Sequence, residues 1–341
     1  MPNISFIKPN IANVISILMP VKNAAPYLQA CLDSIAIQSE RNWELIAVND
    51  GSEDESLALL NDFALGRDNV LIANNKGAGV ISALQLAYSL SKGEYIHRMD
   101  ADDIMPPNKL KMMLNAWQPA AVVTGKVEYF TSKGSIGLGY KNYQNWINCL
   151  MDEENLWQDI YVECPLPSPA WFIHRIDFEE VGAFSSELLP EDYDLCFRVY
   201  KKGLRVFTIK EVVHLWRDSE TRTSRNLPLY FPIAYYPIKV NYFLQIDRRK
   251  TKPLLLWGAG KKGKQVAQLL IQKGEKFTWA TNNPKKAGVN IYNQILQNIS
   301  NLELANYQIV LVVSSPEDKI EVQKKMDSYG LTKAEDYFWF C

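Results

Sequence analysis

The sequence lacks several features that would place it in a specialised class of protein. Its 37 Lys and Arg residues are balanced by 38 Asp and Glu residues, so the net charge of -1 gives no basic field for nucleic acid. Five cysteines lie far apart in 341 residues, which excludes a disulfide framework and a zinc knuckle. We expect a reducing, cytoplasmic setting and no nucleic-acid partner.

Long apolar runs are also missing. No stretch of about 20 uncharged apolar residues occurs, and the most apolar candidate, residues 227–244, is interrupted by prolines and a lysine. Residues 1–13 lack the charged segment, the apolar segment and the cleavage site of a secretory signal. The sequence therefore predicts neither a membrane-spanning helix nor a secretory leader.

The composition that remains is that of a globular protein, with 47% hydrophobic and 22% charged residues. Over residues 14–117, short β-rich runs alternate with segments of helical periodicity, which predicts an α/β fold with a parallel sheet. A second βαβ pattern begins at residue 254. We predict a larger α/β domain over residues 1–226, a helical connector over residues 227–251 and a smaller α/β domain over residues 252–341.

Polar residues follow three of the predicted strands, at residues 20–23, 49–52 and 100–103. Ligands of parallel sheets bind outside the carboxyl ends of the strands, so these loops predict a binding site. The third loop carries Asp100, Asp102 and Asp103, whose mutual repulsion a cation would relieve. Mg²⁺ and Mn²⁺ bind such carboxylates together with phosphate oxygens. The alternative is an ordinary surface turn or a helix cap.

Four segments in this order resemble the motifs of family 2 glycosyltransferases. They are PVKNAAPYLQACLDSI (20–35), WELIAVNDGSEDES (43–56), GEYIHRMDADDIMPPNKL (93–110) and LPEDYDLCFRVYKKGLRV (189–206). The resemblance covers about residues 14–225 and implies the GT-A fold in the larger domain. The third segment and residues 163–166 are similar to a bacterial subgroup that decorates surface polysaccharides.

The resemblance implies an inverting, metal-dependent hexosyltransferase with Mn²⁺ or Mg²⁺ as cofactor. It would move a sugar from a UDP-sugar donor to a carbohydrate acceptor in cell-surface polysaccharide synthesis. A sugar nucleotidyltransferase is one alternative, although residues 20–28 lack the glycine-rich basic loop that it needs. A non-catalytic nucleotide-sugar sensor is the other.

The resemblance also assigns roles to single residues. The residues implied to bind the nucleotide sugar are Pro20, Val21, Asn23, Asp50, Asp100 and Arg217, with Asp50 accepting a hydrogen bond from the uracil imide. Asp102 and His214 are the implied metal ligands, and His214 or Arg217 is implied to reach the diphosphate. Asp192 is the implied general base.

Inverting transfer explains why these residue types lie in separate parts of the chain. One carboxylate must take the proton of the acceptor hydroxyl, and a cation must stabilise the departing diphosphate. Structural alternatives stay open for four of the residues: Asp50 as a turn or cap residue, Asp192 as a helix cap, His214 as a packed strand residue, and Arg217 as the ion-pair partner of Asp218.

The smaller domain contains a glycine motif. Gly258, Gly260 and Gly263 follow a predicted strand with the spacing of the dinucleotide fingerprint. No acidic residue follows the next strand at residues 281–283, where a ribose-binding carboxylate is expected. We predict a Rossmann-like domain that is either a degenerate scaffold or a regulatory nucleotide site.

The connector allows two interpretations. The apolar residues 229–243 precede a basic run at residues 248–252, so this segment could lie on the anionic inner face of a membrane. The alternative is that its helices pack the two domains together.

Overall fold

The computed structural model describes residues 13–77, 79–132, 134–185, 190–219 and 232–341. The chain divides into two compact units, Met1–Glu154 with Leu166–Ser219, and Asn155–Pro165 with Glu220–Cys341. The second unit therefore consists of two separate stretches of chain. The predicted domain boundary at residue 226 and the first five residues of the predicted connector lie outside the described residues.

The first unit is built on one sheet. Its strands are β1 (Ile15–Val21), β2 (Trp43–Asn49), β3 (Val70–Asn74), β4 (Tyr95–Arg98), β5 (Ala121–Phe130), β6 (Phe172–His174) and β7 (Arg205–Arg217). Their order in the sheet is β3-β2-β1-β4-β6-β5-β7. β6 is antiparallel to both of its neighbours, and the other neighbouring pairs are parallel. The predicted α/β class is confirmed.

Helices connect these strands. The helices that the periodicity predicts within the first 91 residues are present. They are α1 (Ala25–Ala36), α2 (Ser56–Ala64), α3 (Val80–Leu90), α4 (Lys109–Ala116), α5 (Leu138–Asp152), α6 (Arg175–Glu180) and α7 (Glu191–Lys202). In α1, the residues Leu28, Cys31, Leu32 and Ile35 are buried, which is the apolar stripe read from the sequence. Packing of this stripe fixes the loop that precedes α1.

Two predictions for residues 120–217 are wrong. The sequence predicts a strand over residues 135–138, after a turn at residues 133–134, but α5 begins at Leu138, directly after Gly137. The sequence also predicts two strands, over residues 204–209 and 212–216, but Arg205–Arg217 form the single strand β7. The pairing of β7 with β5 shifts register on either side of Lys126, which accommodates the two polar residues Lys210 and Glu211.

The second unit contains its own parallel sheet. Its strands are β8 (Leu254–Trp257), β9 (Phe277–Thr281), β10 (Asn290–Ile291), β11 (Gln294–Ile295), β12 (Gln297–Asn298), β13 (Gln308–Leu311) and β14 (Tyr337–Trp339). Its helices are α8 (Tyr236–Ile246), α9 (Lys261–Gln272) and α10 (Pro316–Ser328). The sheet order is β12-β9-β8-β13-β14. From β8 the chain adds strands first on one side and then on the other, as in doubly wound folds. β10 and β11 form a separate antiparallel pair.

The glycine motif of the second unit forms a tight turn between β8 and α9. Gly258 has a φ of +132°, and a Cβ there would lie 2.3 Å from the carbonyl oxygen of Val312. A Cβ on Gly263 would lie 2.1 Å from the carbonyl oxygen of Gly258, whereas one on Gly260 would meet nothing within 4 Å. The first and third glycines therefore serve close packing. The Rossmann-like assignment and its nucleotide site stay predictions.

The basic run that follows α8 is paired with acidic residues of the same unit. Arg248 and Lys250 both bind Glu275, and Lys252 Nζ lies 3.0 Å from Asp336 Oδ1. Burial acts to raise the pKa of Glu275, but the hydrogen bonds from Lys250 and Arg248 outweigh it and lower that pKa. These partners neutralise much of the charge that the membrane interpretation requires, so we do not carry that interpretation further. Within the described ranges, no helix is both long enough and apolar enough to span a bilayer.

Candidate active site

The carboxyl ends of β1, β2 and β4 lie at one edge of the first sheet, because these strands are parallel neighbours. The first two loops at this edge are tied together. The backbone N–H of Asn23 donates to Ser52 Oγ at 3.0 Å, and Asn23 Oδ1 accepts from the backbone N–H of Glu53 at 2.8 Å. Pro20 and Val21 pair with Val48 and Asn49 at the ends of their strands. The predicted nucleotide-binding residues of β1 are thus fixed by the loop that carries Asp50.

A cross-loop contact also caps α1. Asp54 Oδ2 accepts from the backbone N–H of Ala25 at 2.9 Å, and its other oxygen accepts from the backbone N–H of Ser56 at 3.0 Å. Desolvation acts to raise the pKa of Asp54, but the side-chain hydrogen bond to Ser56 and these backbone hydrogen bonds outweigh it and lower that pKa. An ionised Asp54 therefore stabilises the start of two helices.

Asp50 is a buried carboxylate at the end of β2. It accepts hydrogen bonds from Asn75 Nδ2 at 2.6 Å and from the backbone N–H of Gly79 at 3.0 Å, and Lys22 Nζ lies 3.9 Å away. Gly79 precedes α3, so Asp50 binds the start of that helix. The capping alternative applied to α2, the next helix along the chain, whereas the carboxylate caps α3. The nucleotide-binding role of Asp50 stays a prediction.

Arg98, the last residue of β4, joins two acidic segments. Its Nε donates to Asp100 Oδ1 at 2.9 Å, and its Nη1 donates to Glu191 Oε1 at 3.0 Å. Arg98 and Glu191 are buried, and Asp100 is partly exposed. Glu191 is the first residue of α7 and Asp192 the second, so the loop after β4 and the start of α7 lie side by side. The structure thereby brings the predicted donor-side and acceptor-side carboxylates together.

Asp103 is the buried member of the acidic loop, residues 100–103. It is 1% exposed, and its two oxygens bind two residues of β7: Oδ1 accepts from the backbone N–H of Arg217 at 2.7 Å, and Oδ2 lies 2.9 Å from His214 Nε2. A two-residue bridge between Ile104 and Leu215 adds two backbone hydrogen bonds at 3.0 and 3.1 Å. The end of β7 therefore holds the acidic loop in place.

His214 belongs to a fully buried hydrogen-bond chain. Lys109 Nζ donates to His214 Nδ1 at 3.0 Å and to the carbonyl oxygen of Pro169 at 2.7 Å. Because Nδ1 accepts from Lys109, Nε2 carries the proton that is donated to Asp103. Both ring nitrogens are thus bonded within the protein, and we do not retain His214 as a metal ligand.

Lys109 is an unusual residue in this chain because its side chain is fully buried. Burial lowers the pKa of Lys109 to about 7, against the opposing effect of the Asp103 carboxylate. Either protonation state of the amine can donate both hydrogen bonds. Lys109 therefore links α4, β7 and the turn at Pro169 from beneath the acidic loop.

Arg217 lies beside the acidic loop. Its Nε donates to the carbonyl oxygen of Asp102 at 2.6 Å, and its guanidinium carbon lies 4.8 Å from the ring centre of Tyr27 and 4.5 Å from that of Phe130. Aromatic faces on a guanidinium hold its plane in one orientation. Arg217 is therefore held next to Asp102, and its contact with a diphosphate stays a prediction.

The acidic loop offers one or two carboxylates to a metal ion, which would take its remaining ligands from a bound nucleotide and from water. No group of three or more His, Cys, Asp or Glu side chains in the described part of the chain is arranged to hold a metal ion. Asp100 and Asp102 are both partly exposed at the edge of the sheet. Mg²⁺ and Mn²⁺ with a nucleotide diphosphate use one or two carboxylates and take the remaining oxygens from phosphate and water. The residues present fit such a site.

The sequence did not predict the contacts of three residues in this arrangement, which are Arg98, Lys109 and Glu191. A hydrophobic strand that ends in an arginine, directly before three acids, was a signal that this cation pairs with them. The burial of Lys109 had no comparable signal, because its partners lie 60 and 105 residues away in the chain.

Comparison with known proteins identifies the class. Residues 16–180 match the family model described as Glycosyl transferase family 2. The matched stretch begins in β1 and includes the acidic loop. Residues 16–180 are therefore similar to family 2 glycosyltransferases.

Relatives and solved structures agree with that class. The chain is 32% identical over 197 residues to an uncharacterized glycosyltransferase of Rickettsia felis, covering 55% of this chain and 31% of that protein. It is 35% identical over 101 residues to a chondroitin synthase of Pasteurella multocida, covering 30% and 10%. The chain thus spans a third or less of these two relatives.

Two solved structures share the fold. S. aureus TarS residues 1–349 in complex with UDP-GlcNAc has a TM-score of 0.52 at 16% identity, covering 75% of this chain and 71% of that one. The mannosyltransferase PcManGT of Pyrobaculum calidifontis, in complex with GDP-Man and Mn²⁺, has a TM-score of 0.51 at 18% identity, covering 75% and 68%. The fold of the first unit is that of GT-A glycosyltransferases.

Proposed function

We propose that the protein is an inverting glycosyltransferase that moves a sugar from a UDP-sugar to a carbohydrate acceptor in cell-surface polysaccharide synthesis. The observation that carries this proposal is the juxtaposition made by Arg98. It places the loop of Asp100 and Asp102 beside the start of α7, where Asp192 lies. An inverting transfer needs donor-side and acceptor-side carboxylates next to one reaction centre.

In this proposal the nucleotide sugar lies along the edge formed by β1, β2 and β4. Pro20, Val21 and Asn23 line the nucleotide pocket, and Asp50 and Asp100 bind the base and ribose side. The UDP-GlcNAc bound to TarS supports a uridine nucleotide, and the GDP-Man bound to PcManGT supports the broader class of nucleotide sugar.

The chemical step divides between two residues of this chain. Asp192 accepts the proton of the acceptor hydroxyl as its oxygen attacks the anomeric carbon, which gives inversion. The bond from that carbon to the diphosphate breaks on the opposite face, and Arg217 stabilises the negative charge on the departing phosphate. A positioned base of this kind contributes roughly 10²–10⁴-fold to the rate.

A divalent cation fits the proposal at Asp102, with Asp100 nearby. When bound, Mn²⁺ or Mg²⁺ supplies Lewis-acid stabilisation of the leaving diphosphate. The Mn²⁺ complex of PcManGT supports this cofactor. His214, with both nitrogens engaged below the loop, has the separate role of orienting Asp103.

The test is a donor panel combined with one variant. Wild-type protein is incubated with UDP-sugars and GDP-mannose, with and without Mn²⁺, and release of nucleoside diphosphate is measured. We then expect Asp192→Asn to lower the transfer kcat by roughly 10²-fold or more while the Kd for the donor, measured by calorimetry, stays within about threefold. Asp62→Asn, on the exposed face of α2, is the control and should retain full activity.

The outcomes separate the alternatives. A protein that binds UDP-sugar tightly but turns none over is a sensor. Incorporation of a nucleoside triphosphate into a nucleotide sugar would identify a nucleotidyltransferase. Turnover of GDP-mannose alone would keep the enzyme class and overturn the proposed donor.

A further inference from the structure

Arg98 binds two acidic segments of the site that lie far apart in the sequence. It ends β4, it lies below the surface at 8% exposed, and its side-chain partners Asp100 and Glu191 are separated by 91 residues of sequence. One guanidinium therefore connects the loop that follows β4 with the first turn of α7. Its planar fork fixes the angle between these partners as well as their distance.

The charges around Arg98 explain why this connection is needed. Asp100, Glu191 and Asp192 bring three carboxylates around one buried cation, and without that cation they would repel one another. Burial opposes ionisation, but these three carboxylates raise the pKa of Arg98, so the guanidinium stays charged. The first turn of α7 can approach the acidic loop because Arg98 lies between them.

We propose that Arg98, through Glu191, is a positioning residue that sets the place of the base Asp192 relative to the donor-binding loop. The inference rests on the proposed function. Arg98 does not take part in the chemistry under this proposal. It couples two carboxylate-bearing segments so that a bound donor and the base share one geometry, and misplacement of reacting groups by about 1 Å costs roughly 10²-fold in rate.

Two substitutions change this coupling to different extents. Arg98→Lys keeps the charge but cannot form the two-armed contact, and Glu191→Gln keeps an acceptor oxygen for Arg98 Nη1. We expect Arg98→Lys to lower the transfer kcat by roughly 10²-fold, and Glu191→Gln to lower it by about tenfold or less. In Glu191→Gln the donor KM should stay within about threefold, because no donor-binding residue is touched. In Arg98→Lys the donor KM should rise far less than kcat falls, because on the donor side only the contact to Asp100 is lost and the nucleotide pocket on β1 and β2 is unchanged.

Arg175→Lys is the matched control. Arg175 Nε donates to the carbonyl oxygen of Gly93 at 2.7 Å, and its Nη2 donates to Ser91 Oγ at 2.9 Å, so it anchors the chain just before the opposite end of β4. This substitution also removes a two-armed arginine contact from the first unit. It is expected to lower stability while leaving the transfer kcat within about twofold.

Hydrogen exchange supplies a readout that does not depend on turnover. In Arg98→Lys, amides of residues 100–103 and 191–194 should exchange faster than in the wild type, and in Arg175→Lys they should not. Unchanged exchange at both segments, or a kcat for Arg98→Lys within threefold of wild type, would overturn the positioning role. A donor KM that rises as much as kcat falls would also overturn it, because the substitution would then act on donor binding and not on the placement of Asp192.

The proposed function fails in a different way. If the wild type transfers no sugar from any donor of the panel, the enzyme assignment is lost, and the exchange measurement alone decides whether Arg98 couples the two segments. If Asp192→Asn is inactive while Arg98→Lys is fully active, the enzyme assignment stands and the positioning role is refuted.

Discussion

Replacing the buried Lys109 by methionine tests the hydrogen-bond chain below the acidic loop. The substitution keeps the length of the side chain and removes both donated hydrogen bonds. The carbonyl oxygen of Pro169 and His214 Nδ1 would then be buried without their donor. Each buried polar group left unpaired costs about 1–3 kcal/mol, so we expect a loss of about 2–6 kcal/mol in the free energy of unfolding of the first unit.

The loss should also depend on pH, and its sign follows from the pKa of Lys109. In the folded protein that pKa is lowered to about 7 from 10.5. Between these values the unfolded chain binds more protons than the folded one, so the stability that Lys109 contributes rises with pH across this window. The difference between wild type and Lys109→Met should therefore grow by about 1 kcal/mol per pH unit above pH 7 and be constant well below it.

Hydrogen exchange of the slowest amides in β4 and β7 measures this difference in the first unit alone, which avoids treating a two-unit chain as two-state. Lys111→Met, on the exposed side of the same helix, is the control and should change stability by less than about 0.5 kcal/mol. A Lys109→Met variant that matches this control, or whose stability difference from wild type does not change between pH 7 and pH 9, would refute the buried chain as described.

Two further predictions concern stability. Gly258→Ala should destabilise the second unit by about 2–4 kcal/mol, because the residue has positive φ and its Cβ would meet Val312. Gly260→Ala should be tolerated, because its Cβ would meet nothing within 4 Å. Thermal unfolding measures both, and equal effects of the two substitutions would contradict the packing role. Asp54→Ala should cost about 1 kcal/mol at pH 7 through loss of the shared cap. Because the folded-state pKa of Asp54 is lowered, that cost should disappear as the pH falls from about 4 through the folded-state value, as urea titrations at pH 7 and pH 3 would show.

The strands and the site edge could be predicted from sequence because their signals are local. Apolar runs such as that of β1 end in polar residues where the sheet ends, and the acids at residues 100–103 follow β4 directly. The assignment of His214 to a metal came from resemblance. Its actual partners, Asp103 and Lys109, lie 111 and 105 residues away, and no local pattern specifies such pairs.

Helix and strand assignments failed where local signals conflict. The local pattern predicts a turn at residues 133–134 followed by a strand at residues 135–138, but α5 begins at Leu138 because its apolar side, including Ile147, Leu150 and Met151, is buried. That choice is made by tertiary packing, which overrides local propensity. The contact between Arg98 and Glu191 escaped prediction for the same reason.

The division of the second unit into two stretches of chain limits how the protein can be dissected. Tyr161, in the short stretch 155–165, stacks on Phe340 with ring centres 5.1 Å apart and donates to Asp247 Oδ2. A deletion of everything after residue 219 would remove the residues that bury that tyrosine and its apolar neighbours. A fragment that starts at residue 252 would lack the tyrosine and those neighbours altogether. Experiments that alter one unit without the other should therefore rely on point substitutions, with the polypeptide left whole.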